Sequence, residues 1–285
     1  MNKEIKSPAY IVYKIIVTFF MILLVLLTVT PLVFMLCASF MTSKQILAIP
    51  FSWIPNPINL NNFYKAVAGT LNTWTFPRNM LNSFIVSTTV TLSTLLLAGM
   101  SGYGLAKFRF KGKNFVFITI MSTMMIPFEA IMIPMYMISQ KLNLMNSYRG
   151  LIVPYLVSAF GIFQMRQYLL TFPGEFLDAA RVDGMGEMGI FMKLVMPNSA
   201  PVLATLAITT FRSQWDNLLW PLLVAQDAKL KTVPLYITSF SEEKHADEGA
   251  LMAVALLSSL PMLIAFFTLS KYFIGGSEVY ESRKG

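Results

Sequence analysis

Six apolar segments, each about 20 residues or longer, divide this chain and restrict what it can fold into. A helix needs about 20 predominantly apolar residues to cross about 30 Å of hydrocarbon. Inside lipid the backbone must satisfy its own hydrogen bonds, so we predict an all-α, polytopic membrane protein with six transmembrane helices. The segments are residues 15–38, 83–106, 115–138, 150–170, 199–225 and 249–273.

The composition agrees with a membrane protein, since 55% of the 285 residues are hydrophobic and only 13% are charged. The first apolar segment is too long for the core of a signal peptide, and we expect it to be retained. The net charge of +8 comes from basic residues scattered between apolar segments, which is typical of topology signals rather than of a nucleic-acid-binding face. With a single Cys37 and a single His245, we predict no intramolecular disulfide and no metal site.

The connection between the second and third segments predicts the orientation in the membrane. Its sequence, KFRFKGKN, contains four cations, Lys107, Arg109, Lys111 and Lys113. Short loops rich in Lys and Arg stay in the cytoplasm, so we predict that both termini are cytoplasmic too. The predicted organisation is a cytoplasmic segment at 1–14, a first transmembrane helix at 15–38, an external loop at 39–78, a core with five transmembrane helices at 79–273 and a cytoplasmic tail at 274–285.

Small residues recur in the second apolar segment. They are Ser87, Ser93, Ala98, Ser101, Gly102 and Gly104, which let neighbouring backbones approach closely. We therefore expect this segment to pack tightly against other helices.

A polar stretch, LDAARVDGMG at 177–186, lies between the fourth and fifth segments and is predicted to face the cytoplasm. Pro173 precedes a predicted short helix at 175–183, and Gly184 is placed to end it. Four acids accompany one cation: Glu175, Asp178, Asp183 and Glu187 against Arg181. Helices that rest on lipid headgroups usually present Lys and Arg, so this charge pattern favours docking to a cytoplasmic protein. A passive interfacial helix is the alternative.

Residues 173–197, PGEFLDAARVDGMGEMGIFMKLVMP, resemble the EAA loop of type I ABC importer permeases. The triplet is Asp178, Ala179 and Ala180, with Asp in place of the usual Glu, and Asp183, Gly184 and Pro197 follow in order. GYGLAKFRFKG, PMYMISQKLNLMNSYRGLIVPY and WDNLLWPLLVA extend the resemblance to the sugar branch of that family. Within that branch the chain resembles the smaller, six-span permease subunit of maltose-type transporters.

The resemblance implies that the EAA loop forms a coupling helix seated on an ATP-binding subunit. The residues that it assigns to ATPase coupling are Asp178, Ala179, Ala180, Arg181, Asp183, Gly184 and Glu187. It further implies a larger homologous permease, a dimeric ABC ATPase and an extracellular solute-binding protein as partners, in a bacterial or archaeal cytoplasmic membrane. The chain has no GxxxxGK[ST] motif, so we predict that it is not an enzyme, that it binds no cofactor, and that ATP and Mg belong to the ATPase.

Ionisable residues within spans are costly and mark pathways or partner contacts. The candidates for the translocation path are Glu129, Arg212, Trp215, Asp216, Asn217 and Trp220. An aromatic ring beside polar groups can hold a sugar, because the ring stacks on its apolar face. The alternative for 212–220 is a structural ion pair with tryptophans of the interfacial belt.

The predicted external loop at 226–248 contains the acids Glu242, Glu243, Asp247 and Glu248. In the resembled family this loop reaches into the solute-binding protein, which makes these acids candidates for docking. A solvated charged loop is the alternative. The tail, GGSEVYESRKG, departs from the glycine-rich ending of many relatives, so the resemblance implies no regulatory contact for it.

We therefore predict one permease subunit of an ATP-driven, binding-protein-dependent importer of an oligosaccharide or related carbohydrate. The same machinery importing another polar solute, such as glycerol phosphate, is the first alternative. An ion-coupled secondary transporter is the second, and the lack of a visible inverted repeat argues against it. An intramembrane enzyme lacks support, since neither GxSxG nor HExxH occurs.

Overall fold

A computed structural model describes residues 8–69, 74–241 and 247–281, and within these ranges the chain forms helices joined by short loops. The α-helices, in chain order, are α1 (Pro8–Ala38), α2 (Ser43–Ile46), α3 (Asn61–Ala68), α4 (Phe76–Lys107), α5 (Lys113–Thr123), α6 (Phe128–Lys141), α7 (Tyr148–Ile152), α8 (Ala159–Thr171), α9 (Gly174–Val182), α10 (Glu187–Ile190), α11 (Met196–Asn198), α12 (Ala200–Trp215), α13 (Leu219–Val224), α14 (Val233–Ser241) and α15 (Glu248–Glu281). Short 3-10 helices at Val153–Tyr155 and Ala228–Leu230, and a π-helix at Phe191–Val195, complete the set.

The predicted all-α membrane fold is confirmed, but several predicted spans are interrupted. Three helices are long and apolar enough to cross a membrane alone: Val12–Ala38, Phe76–Lys107 and Glu248–Thr268. Two further spans arise if each strongly bent pair counts as one, namely Lys113–Thr123 with Phe128–Lys141, bent by 97°, and Glu187–Asn198 with Ala200–Trp215, bent by 80°. Five spans are thus the most that length and composition support in the described ranges.

Prolines lie at two of the three interruptions. Pro127, in an extended conformation, precedes α6. Proline cannot donate the helical hydrogen bond and disfavours a helical conformation of the residue before it, so the helix is broken there. In the predicted segment 150–170, α7 gives way to a 3-10 turn that contains Pro154, and α8 begins only at Ala159. The predicted segment 199–225 also divides, into α12 and α13, with no proline at the break at 216–218.

The described residues form two compact units, one drawn from 1–74 and 239–257 and the other from 75–238 and 258–285. In the first unit, the apolar side chains of α1 are exposed from Val12 to Val33, as suits a helix surrounded by lipid. After α1, the buried amide of Asn62 donates to the carbonyls of Ser39 and Met41 at 2.9 and 2.7 Å. These bonds fix the loop that follows α1 against α3.

In the second unit, α4 packs along α8 and α12. At Gly102 the helices touch so closely that an added Cβ would lie 2.6 Å from Cβ of Met165. The expected tight packing of this segment is therefore found at Gly102, and also at the buried Ala98. One apolar cluster joins α4, α8, α9 and the π-helix through residues such as Leu169, Leu177 and Phe191.

Adding one methyl group tests this close contact. Gly102→Ala forces Cβ against Met165 and the backbone of Arg166, and we expect it to destabilise the protein by about 1–3 kcal/mol through overpacking. Thermal unfolding of the purified protein in detergent measures the loss. Gly104→Ala is the matched control, because no atom lies within 4 Å of its added Cβ, and it should unfold at or above the wild-type temperature. Equal unfolding temperatures for the two variants would contradict the packing.

Candidate functional site

Helix α9 carries the polar stretch that the sequence singles out. It begins after Pro173 and ends at Val182, close to the predicted bounds. Gly184 has a φ of +79°, the left-handed conformation that glycine adopts without strain, and the amide of Met185 returns to the carbonyl of Ala180 at 3.0 Å. The turn at Gly184 therefore ends α9 and redirects the chain into α10.

The two faces of α9 differ in environment. Leu177 and Ala180 are buried in the apolar cluster beneath the helix, at 1% and 6% exposure. The opposite side, which we call the docking face, is exposed and consists of Glu175, Phe176, Asp178, Ala179, Val182 and Asp183. Of the alanine pair, only Ala179 is therefore open to a partner, while Ala180 lets the helix sit close to its own core.

The docking face combines acids with large exposed apolar groups. Phe176 is 63% exposed and Val182 is 88% exposed. Apolar side chains beside charges, outside the long apolar spans, form the kind of surface that a protein partner covers. Asp183, also exposed, makes no hydrogen bond or ion pair with another residue of the described ranges through its carboxylate, so this acid is available for an external contact.

An ion-pair network on one flank of α9 holds the helix in place. Arg181 lies between two acids, with Nη1 2.6 Å from Oδ1 of Asp178 and Nε 2.7 Å from Oε1 of Glu187. The hydrogen bond to Glu187 raises the pKa of the Arg181 guanidinium above its ordinary value. Two of the acids predicted to contact the ATPase thus already pair within this chain.

Helix α4 is tied to the same network. The hydroxyl of Tyr103 donates to Oε2 of Glu187 at 2.8 Å, and Nζ of Lys107 donates to the carbonyl of Phe172 at 2.5 Å. Sequence reasoning missed both links, although Tyr103 and Lys107 lie within the quoted motif GYGLAKFRFKG. These two residues at the end of α4 therefore hold the segment that carries α9. Lys107 bonds at the start of that segment, and Tyr103 bonds at its end.

The candidate path residues of 212–220 occupy two environments. Trp215 and Trp220 are enclosed, and their indole N–H groups donate to the carbonyls of Ser258 at 3.1 Å and Gly150 at 2.9 Å. Enclosed rings with satisfied N–H groups favour the structural alternative for these two tryptophans. Arg212 and Asp216 form the expected pair at 3.5 Å, with both side chains more than half exposed.

The remaining path candidates lie elsewhere. Glu129 is exposed in the first turn of α6, after the bend at Pro127. Asn217 accepts from the amide of Trp220 at 3.4 Å. No hydrogen bond or ion pair within the described residues joins Glu129 to the other candidates, and the part of all six in transport stays a prediction.

Two of the four acids proposed for docking in the external loop, Asp247 and Glu248, lie among the described residues. Glu242 and Glu243 lie outside the described residues. Asp247 pairs with Nζ of Lys65 at 2.5 Å and accepts the amide of Ala250 at 3.1 Å, which anchors the start of α15. Burial alone would raise the pKa of Asp247, but these hydrogen bonds lower it below its usual range.

Glu248, the fourth of these acids, has one carboxylate oxygen buried without a hydrogen-bond partner in the described ranges. Asp247 thus already has an internal structural role, and Glu248 is partly enclosed. A docking role for this loop stays a prediction.

The chain is similar in sequence to known membrane transport proteins. The model of the family "Binding-protein-dependent transport system inner membrane component" matches residues 94–275. The chain is 33% identical over 277 residues to the arabinooligosaccharides transport system permease protein AraQ of Bacillus subtilis, covering 96% of this chain and 97% of that protein. It is 33% identical over 257 residues to the sn-glycerol-3-phosphate transport system permease protein UgpE of Yersinia pestis, covering 88% and 91%.

A solved structure shares the fold. It is a chain of a bacterial ABC transporter involved in the import of the acidic polysaccharide alginate, and it aligns with a TM-score of 0.84. The alignment covers 95% of this chain and 100% of that chain, at 20% sequence identity. This likeness supports the fold alone.

Removing the Tyr103 hydroxyl tests the link between α4 and the segment that carries α9. We expect Tyr103→Phe to weaken the Glu187 contact by about 1 kcal/mol, because a partly exposed hydrogen bond to a carboxylate is lost. Hydrogen exchange should then become several-fold faster at amides of residues 174–190. Tyr148→Phe is the control, since it removes a hydroxyl bonded to Asn82 and should leave that segment unchanged. Unchanged exchange in Tyr103→Phe would show that the hydroxyl does not hold the segment.

Proposed function

The chain belongs to the binding-protein-dependent transport system inner membrane component family, and we propose that it is the permease subunit of an importer of oligosaccharides or related carbohydrates. Members of this family are membrane permeases of ABC importers rather than enzymes. The similarity to AraQ over nearly the whole chain supports a carbohydrate cargo. The proposed location is the cytoplasmic membrane of a bacterium or archaeon.

The proposed partners supply what this chain lacks. A dimeric ABC ATPase would bind ATP and Mg and hydrolyse the nucleotide, while this chain binds no cofactor. A larger homologous permease would complete the translocation path, and an extracellular solute-binding protein would deliver the cargo. The lipid bilayer surrounds the exposed apolar helices, and nucleic acid has no part in this function.

The docking face on α9 is the observation that carries the coupling proposal. A cleft on the ATPase would receive Phe176 and Val182, and Asp183 would meet a cation there. Closure of the ATPase around nucleotide would then move α9. Because a packed core and short ion pairs resist deformation, the displacement would pass to the neighbouring helices rather than dissipate within the loop.

The route from α9 into the spans follows the contacts already described. Arg181 and Glu187 join α9 to Tyr103 on α4, while Leu177 joins it to the apolar cluster shared with α8. Helix α4 packs on both α8 and α12, so motion at its cytoplasmic end would tilt it against helices that border the path. The proposed coupling motion is therefore a rigid-body movement of α4 together with α9.

Family membership leaves the ion-coupled secondary transporter without support. The similarity to UgpE keeps one second candidate, which is import of a phosphorylated polyol such as glycerol phosphate. The two cargoes differ in charge, and the chemistry of the path therefore distinguishes them.

Charge reversal at Asp183 tests the coupling proposal. In a complex reconstituted in lipid nanodiscs with its ATPase and binding protein, Asp183→Lys should lower cargo-stimulated ATPase activity about tenfold or more. The reason is that a like charge would face the cation proposed on the ATPase, and tenfold corresponds to about 1.4 kcal/mol.

Lys111→Glu is the matched control. It reverses another exposed charge, in the loop between α4 and α5 that is predicted to face the cytoplasm, and it lies off the docking face. This variant should retain wild-type stimulation. If Asp183→Lys retains it as well, the docking face does not couple this chain to the ATPase.

A further inference from the structure

A cavity of about 250 Å³ lies between α4, the 3-10 turn after α7 and α12. It is separate from the docking face and contains neither of the predicted tryptophans. Its polar lining, which we call the hydroxyl pocket, consists of Thr94, Ser158, Thr209, Thr210, Ser213 and Gln214. Taking about 30 Å³ as the volume of a water molecule in the liquid, this space corresponds to about eight waters.

The hydroxyl pocket is rich in neutral hydrogen-bonding groups. All residues that line the cavity are uncharged, so a phosphate or carboxylate would find no cation there. Hydroxyl and primary amide groups each donate and accept, which matches the alternating needs of a polyhydroxylated solute. The chemistry of the wall therefore favours a neutral, hydroxyl-bearing solute.

Helix α12 supplies four of these six groups, Thr209, Thr210, Ser213 and Gln214. Thr210, Ser213 and Gln214 are spaced i, i+3 and i+4, which places them side by side on the helix. Their side chains make no hydrogen bond with other residues in the described part of the chain. Three unpaired polar groups in a membrane helix are costly against lipid, so this face requires a polar neighbour.

Thr94 on α4 adds an independent indication. The residue is fully buried, and its hydroxyl has no hydrogen-bond partner within the described ranges. Buried hydroxyls are rarely left unpaired, because losing water without a replacement costs free energy. A solute that hydrogen-bonds to this wall of the cavity would compensate for that cost.

Aromatic rings complete the lining. Phe160, which is 44% exposed, and Tyr155 both line the cavity. The Tyr155 ring stacks with Phe128, with ring centroids 6.5 Å apart. A ring face next to hydroxyl groups suits the apolar C–H face of a sugar ring.

We propose that the hydroxyl pocket, with Tyr155 and Phe160, is a subsite that binds one neutral sugar ring and disfavours anionic solutes. The proposal rests on the carbohydrate permease function and extends it, because it assigns cargo contacts to this subunit and moves them away from Trp215 and Trp220. The neutral lining also separates a neutral saccharide from glycerol phosphate as the cargo.

Transport by the complete importer in proteoliposomes provides the first test. The solutes are arabinotriose as the neutral saccharide, with sn-glycerol 3-phosphate and an alginate trisaccharide as the anionic ones. We expect Thr94→Val and Gln214→Leu each to lower arabinotriose uptake at subsaturating concentration about three- to tenfold, the effect of one lost hydrogen bond. Thr94→Val should fold normally, because its hydroxyl has no internal partner to lose.

Thr91→Val is the matched control. Thr91 is also buried on α4, but its hydroxyl donates to the carbonyl of Ser87 at 2.6 Å and the residue does not line the cavity. Its uptake should stay within about twofold of the wild type. Equal effects of Thr91→Val and Thr94→Val would overturn the subsite.

Thiol protection gives a second measurement that needs no ATP hydrolysis. Cys37 is the only cysteine, so Cys37→Ser provides a background in which Ser213→Cys carries the single thiol of this chain. With cysteine-free partner subunits, arabinotriose should slow maleimide labelling at position 213 several-fold, whereas sn-glycerol 3-phosphate and the alginate trisaccharide should not.

The outcomes separate the two proposals. If the wild type imports arabinotriose while the pocket variants behave normally and no saccharide protects position 213, the subsite is wrong and the carbohydrate function stands. If the complex imports no saccharide in an ATP-dependent manner, the proposed function fails. Maleimide labelling of position 213 then tests the pocket independently of transport. Equal protection of that position by an anionic solute would overturn the selectivity for neutral solutes.

Discussion

The close contact between α4 and α8 sets the positions of the functional elements in the second unit. It depends on Gly102, where no side chain larger than hydrogen fits against Met165. Near the start of α4, Asn82 donates to the carbonyls of Lys229 and Lys231. Near the end of α4, Tyr103 donates to Glu187. Thr94 lies between these ends, in the wall of the hydroxyl pocket. A single rigid helix thus bears groups for both proposed tasks.

This arrangement gives the coupling proposal a physical basis. A helix can pass on displacement only if its attachments resist deformation, and α9 is attached by a buried leucine and by charged hydrogen bonds. Arg181 therefore serves α9 chiefly as an internal brace between Asp178 and Glu187. Asp183, together with the exposed Phe176 and Val182, is left for the proposed contact with the ATPase. The seven residues assigned to coupling thus divide into those that hold the helix and those that face outward.

The cargo proposal rests on a different kind of surface. The sequence suggests Trp215 and Trp220 as candidates for sugar binding. Both rings are enclosed, however, and their indole N–H groups donate to backbone carbonyls. The groups that line a cavity are less conspicuous threonines, serines and a glutamine. Of these, Thr210, Ser213 and Gln214 lie side by side and make no side-chain hydrogen bond within the described residues. Their signal in the sequence is the spacing of Thr210, Ser213 and Gln214 along one helical face. Small polar residues occur in most spans, so that spacing alone was too weak to identify a site.

The sequence by itself determined the all-α membrane class, the family and the bounds of the segment that carries α9. Each depends on local information: apolar length against bilayer thickness, charge, and proline or glycine at defined positions. The tertiary structure alone decided that Ala180 turns inward, that Tyr103 reaches Glu187 across 84 residues, and that the third to fifth predicted spans are interrupted. These outcomes depend on contacts between residues distant in the chain, and on whether packing compensates for a proline. Neither the long-range contacts nor the compensation for a proline can be inferred from composition or periodicity.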